Sequence, residues 1–184
     1  IIIDAGSESI PDHLSEIGVL KVERILHTHY HRDQCLGDLK LKEMGASVAM
    51  GRQEREMFEP AGLQPPFKLP AHFLLNGELP DWGRRMAPFH KPGVDHVFDD
   101  GASITWKQYH IRVISTPGHT WGSITYFIET GGKRIAFTGD LIVQGGHVQD
   151  LYSMQWTYLE NPGIDSSLAS LKKVSGLSPD LILP

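Results

Sequence analysis

In the run His27-Thr-His-Tyr-His-Arg-Asp-Gln34, residues His29, His31 and Asp33 fall at every second position, directly after the apolar pair Ile25-Leu26. In extended backbone, side chains two apart leave on the same side. Two imidazoles and a carboxylate therefore converge at the mouth of a strand. That donor set suits zinc or a related divalent ion. Such an ion brings the pKa of bound water close to neutrality, so hydroxide forms without a strong base, and it polarises a carbonyl or phosphoryl oxygen. The same spacing also describes a polar surface edge. What weighs for a metal is the dipeptide Gly37-Asp38 beside the segment, at the start of an expected helix. A rival register, His27-His29-His31, leaves Asp33 without a ligand role. No Ser–His–Asp or Cys–His nucleophile pattern competes, because Cys35 falls inside the expected helix and reads as packing.

Strands and helices must alternate to position these residues. Ile1–Ile3 reads as a buried strand, Pro11 opens a short helix through Ile17, and Val22–Leu26 is the strand that delivers the histidines. A helix over Cys35–Met44 puts Leu36, Leu39 and Met44 on its inner face, with Asp33 at its start as an alternative N-cap. Ser47–Met50 is a third strand and Arg52–Phe58 a short charged helix. Further strands are expected at Val94–Phe98, Ser103–Lys107 and Tyr109–Ser115, then a hairpin of Ile124–Glu129 and Arg134–Thr138 around Gly131-Gly132. A helix over Ile164–Val174, with Leu168 and Leu171 facing in, precedes a last strand, Leu181–Leu183.

Between Glu59 and Pro92 the texture changes, with prolines at 60, 65, 66, 70, 80, 88 and 92 among Phe67, Phe73, Trp82 and Phe89. Proline at this density breaks regular elements, and long irregular insertions tend to be binding loops or lids. The insertion is the candidate for substrate choice, against the plainer reading of a wrapped surface loop.

A chain of 184 residues is one domain by size. No apolar run approaches the roughly 20 residues of a membrane helix. A net charge of −5 without a basic run argues against nucleic acid as the main partner. The single cysteine excludes an intrachain disulfide and leaves compartment open, the cytoplasm being slightly favoured. The chain opens inside a strand without methionine and stops at Asp180-Leu-Ile-Leu-Pro184 as another ends, as an excised fragment would. Further strands before Ile1 and a metal-site histidine after Pro184 are the corresponding expectation.

Asp4-Ala-Gly6, Thr28-His-Tyr-His-Arg-Asp33, Thr116-Pro-Gly-His119 and Thr138-Gly-Asp140 occur in the order and approximate spacing of the metallo-β-lactamase superfamily, which the chain resembles over its whole length apart from the proline-rich insertion. The resemblance implies an α/β fold, a four-layered αβ/βα sandwich, here cut at both ends, with the metal site along the edge where two sheets meet. It implies that His29, His31 and His119 hold a first metal, that Asp33 holds a second and that Asp140 bridges both. Asp4 resembles the buried carboxylate that fixes the ligand loop from behind. Two departures touch the second site: Gln34 stands where the family pattern usually has histidine, and the family's last metal histidine has no counterpart before Pro184. An amide oxygen is a poorer zinc ligand than imidazole. One tightly bound zinc is therefore expected, with a second site of Asp33, Asp140 and at best Gln34 filling weakly if at all.

The implied activity is hydrolysis of a small-molecule ester, thioester, lactone or amide by metal-bound hydroxide. Asp33, where not engaged by a second metal, orients the water or carries a proton. Two alternatives stay open: an oxidoreductase using a single Fe2+, similar to the family's persulfide dioxygenases, and a metal-binding domain without activity. An RNA phosphodiesterase also resembles the family, but the acidic charge counts against it. His147 could line the pocket or sit in a solvated loop, and His13, His72, His90, His96 and His110 read as surface or structural residues.

Overall fold

The computed structural model describes residues 1–58, 92–148 and 163–184. Apart from Pro92, the proline-rich insertion lies outside the described residues, as does the aromatic segment Tyr152–Tyr158.

The first sheet is parallel, in the order β1 (Ile2–Ile3), β2 (Arg24–Leu26), β3 (Ser47–Gly51) and β4 (His96–Phe98). Between its strands come α1 (Ile10–His13), α2 (Asp38–Glu43) and α3 (Arg52–Phe58). A sheet of this kind is covered on both faces, which is why Ile25-Leu26 and Val48-Ala-Met50 are continuously apolar rather than alternating. The second sheet runs β5 (Ser103–Trp106), β6 (Tyr109–Ser115), β7 (Ile124–Thr130), β8 (Lys133–Phe137) and β9 (Leu181–Leu183). It is antiparallel except for β9, which returns parallel to β8 after helix α4 (Gly163–Gly176).

The two-residue period of a strand sorts the apolar side chains into three layers. Ile25, Val48 and Met50 pack with Leu14, Leu41 and Phe58 beneath the first helices. Their neighbours Leu26 and Ala49 face the other way, against Ile111, Val113, Ile124 and Tyr126 of the second sheet. On the far side of that sheet Ile114, Phe127 and Ala136 meet Leu141 and Val174. Helices, sheet, sheet and helix thus form the four-layered sandwich. Leu41, Ile25 and Val48 are fully buried, and truncating such side chains costs about 2–5 kcal/mol for the larger ones.

The elements fall where the sequence places them, with shorter strands at β2 and β4, a first helix that is α-helical only over Ile10–His13 before a 3-10 turn at Leu14–Ile17, and two corrected helix faces. Residues 32–34 form a separate 3-10 turn, so α2 starts at Asp38 with Gly37 as its N-cap, and Asp33 does not cap it. Leu41 and Asp38 are the buried residues of α2, while Leu39 and Met44 are exposed. Shifting the helix start by three residues rotates which positions face the sheet. In α4 the buried residues are Ser167, Ser170 and Val174, Leu171 is partly buried, and Leu168 is 49% exposed. Polar, small side chains face inward because the helix lies against a loop rather than a sheet alone: the Ser170 hydroxyl donates to the Pro117 carbonyl at 2.7 Å. Among the described residues no helix is long and apolar enough to cross a membrane.

Candidate metal centre

The site forms where loops leave the strand ends of both sheets. His29 and His31 follow β2, His119 follows β6, and Asp140 sits in the 3-10 turn Gly139–Leu141 after β8. The three imidazole rings stand edge to face with one another, with centroids 4.8 Å apart for His29 and His31, 4.7 Å for His29 and His119 and 4.6 Å for His31 and His119. One nitrogen from each lies within 4.8 Å of those of the other two. His119 Nε2 is 2.8 Å from His31 Nδ1 and 3.3 Å from Asp140 Oδ2. His29 and His119 are buried and His31 is half-buried.

Asp4 sets the protonation of His29 through an intervening hydroxyl. Its Oδ1 accepts the Thr28 backbone N–H at 2.9 Å and its Oδ2 accepts the Thr28 hydroxyl at 2.7 Å. That hydroxyl has one proton, and a carboxylate can only accept it. The 3.0 Å contact between Thr28 Oγ1 and His29 Nδ1 is therefore donated by Nδ1–H. The lone pair of neutral His29 is left on Nε2, the form a metal needs. Asp4 holds a left-handed backbone conformation (φ 54°), which aspartate tolerates better than most residues. Gly139 lies against the same threonine: a Cβ there would fall 2.3 Å from Thr28 Oγ1, so only glycine lets the Asp140 turn approach this closely.

Three imidazoles with a carboxylate at 3.3 Å from one of them form a donor set that fits zinc, and equally a single ferrous ion. The residues named from the sequence are thus partly assembled. His29, His31, His119 and Asp140 come together and Asp4 stands behind them. Asp33 is exposed in the turn after His31 and outside the group of three, and Gln34 is half-buried beside it.

His27 does not share the direction of His29, which removes the rival register. It is completely buried, with Nδ1 3.3 Å from Asp4 Oδ1 and Nε2 2.8 Å from Asp38 Oδ2. Burial by itself pushes its pKa down, but the hydrogen bonds and charges of Asp38 and Asp4 outweigh that and hold it up at about 9. His27, Cys35 and Asp38 also lie close enough for an ion. With carboxylates against both ring nitrogens, however, His27 is an imidazolium rather than a ligand.

Two buried acids escaped the sequence reading. Asp38 looked like a helix-start residue, and Glu54 like one charge among several in Arg52-Gln-Glu-Arg-Glu56. Glu54 is 1% exposed and accepts the Tyr30 backbone N–H at 2.7 Å. A Gly-Asp pair near a ligand run signals the first; no local signal marks the second.

The model of the metallo-beta-lactamase superfamily matches residues 1–184. The hydroxyacylglutathione hydrolase GloC of Haemophilus influenzae is 29% identical over 153 residues, covering 79% of this chain and 62% of that protein. A metallo-beta-lactamase of Cronobacter sakazakii, described by a HARLDQ motif, superposes with a TM-score of 0.72 at 21% identity, covering 98% of this chain and 67% of that one. The run His29–Gln34 begins with the same residue as that motif and ends in the same Asp-Gln pair. A subclass B3 metallo-beta-lactamase of Bradyrhizobium japonicum gives 0.67 at 19% identity, over 98% of this chain and 65% of that one. These structural likenesses establish the fold. The chain spans less than two thirds of the hydrolase's length.

Proposed function

This chain belongs to the metallo-beta-lactamase superfamily, and on that premise we propose that it is a metal-dependent hydrolase of a small-molecule ester, thioester, lactone or amide. The observation that carries the reading is the convergence of the His29, His31 and His119 rings with Asp140 beside them. Thioesters come first among the substrates, because the Haemophilus relative is a hydroxyacylglutathione hydrolase.

His29, His31 and His119 would hold the ion, with Asp140 as a fourth donor next to His119. A zinc ion bound there supplies Lewis acidity and a water acidified to near neutral pH. The chain's own residues do the rest. Asp4 and Thr28 keep His29 in its Nδ1–H form. Burial of His29 and His119 limits bulk water on the inner side of the rings. Asp33, exposed in the turn after His31, would orient the attacking water and accept its proton. Gln34 in place of a stronger ligand makes this a site for one tightly held ion. That single site is also what favours the second reading, a mononuclear iron oxidoreductase.

Turnover of zinc-loaded and iron-loaded protein on hydroxyacylglutathione, simple esters, lactones and β-lactams separates the two. The zinc form should hydrolyse at least one of these, and chelation or His119→Ala should remove both the ion and the activity. Oxygen consumption with a glutathione persulfide by the iron form, without hydrolysis by the zinc form, would overturn the hydrolase reading.

A further inference from the structure

Glu54 lies in the first turn of α3 and belongs to neither ligand loop, yet its carboxylate joins them. Oε2 accepts the backbone N–H of Tyr30, the residue between His29 and His31, at 2.7 Å. Oε1 accepts the hydroxyl of Thr120, the residue after His119, at 2.8 Å, and the Gly122 N–H at 2.7 Å. An ionised carboxylate that is 1% exposed is tolerable only when such donors surround it. These donors come from segments 24, 66 and 68 residues away in the chain, so all are present only when both loops are in place. The loop around His119 is shaped for this contact. A Cβ at Gly122 would fall 2.7 Å from Glu54 Oε1 and 2.8 Å from the Glu54 nitrogen. The Thr120 proton goes to Glu54, so the Ser123 hydroxyl must donate to Thr120 Oγ1, while Ser123 Oγ accepts the Thr120 N–H at 3.1 Å.

We propose that Glu54 is a positioning residue that sets the His29–His31 pair against His119 and thereby the affinity and geometry of the site for its ion. The inference rests on the metal reading above. It acts through two backbone N–H groups and one hydroxyl: Tyr30 N–H fixes the turn from which the first two rings project, and the Thr120 hydroxyl with Gly122 N–H fixes the turn that carries the third. Besides this carboxylate, the Ile124 N–H donates to the Thr28 carbonyl at 2.9 Å and His119 Nε2 lies 2.8 Å from His31 Nδ1, but neither contact holds the backbone of Tyr30 against the Thr120–Gly122 turn.

The test uses the whole protein, stripped of metal and titrated with Co2+, whose d–d absorption reports ligand geometry. Dissociation constants come from competition with a chelator, and thermal unfolding of the metal-free protein runs alongside. Glu54→Gln keeps the volume but turns an N–H2 group toward either Tyr30 N–H or the Thr120–Gly122 pair. It should weaken Co2+ binding about 10–100-fold, the range for loss of an outer partner of a ligand, and should change the absorption spectrum. Glu54→Asp, which keeps both acceptors, should recover part of each effect. Thr120→Val removes one donor at similar volume and should shift both readouts the same way by less; it decides the matter if Glu54→Gln does not fold. Wild-type affinity and spectrum in folded Glu54→Gln would overturn the inference, and so would weaker binding with an unchanged spectrum, which is mere support of the fold. Failure of the wild type to bind Co2+ would instead sink the metal reading, and this inference with it.

Discussion

His27 Nε2 and Asp38 Oδ2 lie 2.8 Å apart, and both side chains are entirely shielded from solvent. Asp4 takes the other ring nitrogen and also holds Thr28, so one buried imidazolium links α2 to the residue that sets the tautomer of His29. The ion pair lies beneath the metal-site loop and is structural. Removing one partner of such a pair strands the other as a buried, uncompensated charge. His27→Ala should therefore destabilise the metal-free protein by about 3–5 kcal/mol, read by urea unfolding. A loss below about 1 kcal/mol would mean that Asp38 is satisfied without the histidine.

Thr28→Val removes the hydroxyl between Asp4 and His29 at nearly constant volume. His29 Nδ1 then loses its acceptor and the ring is free to take the wrong tautomer. Metal affinity should fall about 10–100-fold, while the valine's burial keeps the fold intact. Isothermal titration with zinc measures it, and an unchanged affinity would show that the tautomer is set by other contacts.

Gln34→His offers an imidazole beside Asp33 in the turn that follows His31. Because imidazole binds zinc better than an amide oxygen does, a second ion should then be retained per chain. The measurement is zinc stoichiometry by elemental analysis after dialysis. Equal stoichiometry in wild type and variant would mean that position 34 does not face the metals.

Asp180 and Arg134 clip β9 to β8, the carboxylate accepting the Arg134 N–H at 2.9 Å and the guanidinium at 3.2 Å and 3.3 Å. The arginine side chain, and then its backbone N–H, hold the Asp180 pKa down at about 2. A depressed folded-state pKa contributes stability that is present above the ordinary carboxylate range and disappears as the pH falls through the folded value. The Tm gap between wild type and Asp180→Asn should thus be widest above pH 5 and close between about pH 4 and pH 2. A gap that stays constant over that interval would show that the carboxylate's charge contributes nothing. Both groups are solvent-exposed, so the gap should be small and should shrink with added salt.

The sequence by itself determined the ligand set's most local part and the sandwich. Alternation put His29 and His31 on one side of an extended segment, and continuous apolar runs such as Val48-Ala-Met50 announced strands covered on both faces. Four motifs in family order added His119 and Asp140, 88 and 109 residues after His31, which no local pattern could join to it. Tertiary structure alone decided which charges lie inside. His27 shares the two-residue period of His29, but the chain leaves β2 after Leu26, and the ring turns to Asp38 instead of the site. Glu54 sits among Arg52, Arg55 and Glu56 and reads as part of a solvated helix face. Its burial depends on Tyr30, Thr120 and Gly122 arriving from distant loops to satisfy its oxygens. The inward faces of α2 and α4 followed the same logic, because what covers a helix decides whether leucine or serine fits beneath it. Periodicity is a property of neighbours in sequence, whereas the compensation of a buried charge is a property of neighbours in space.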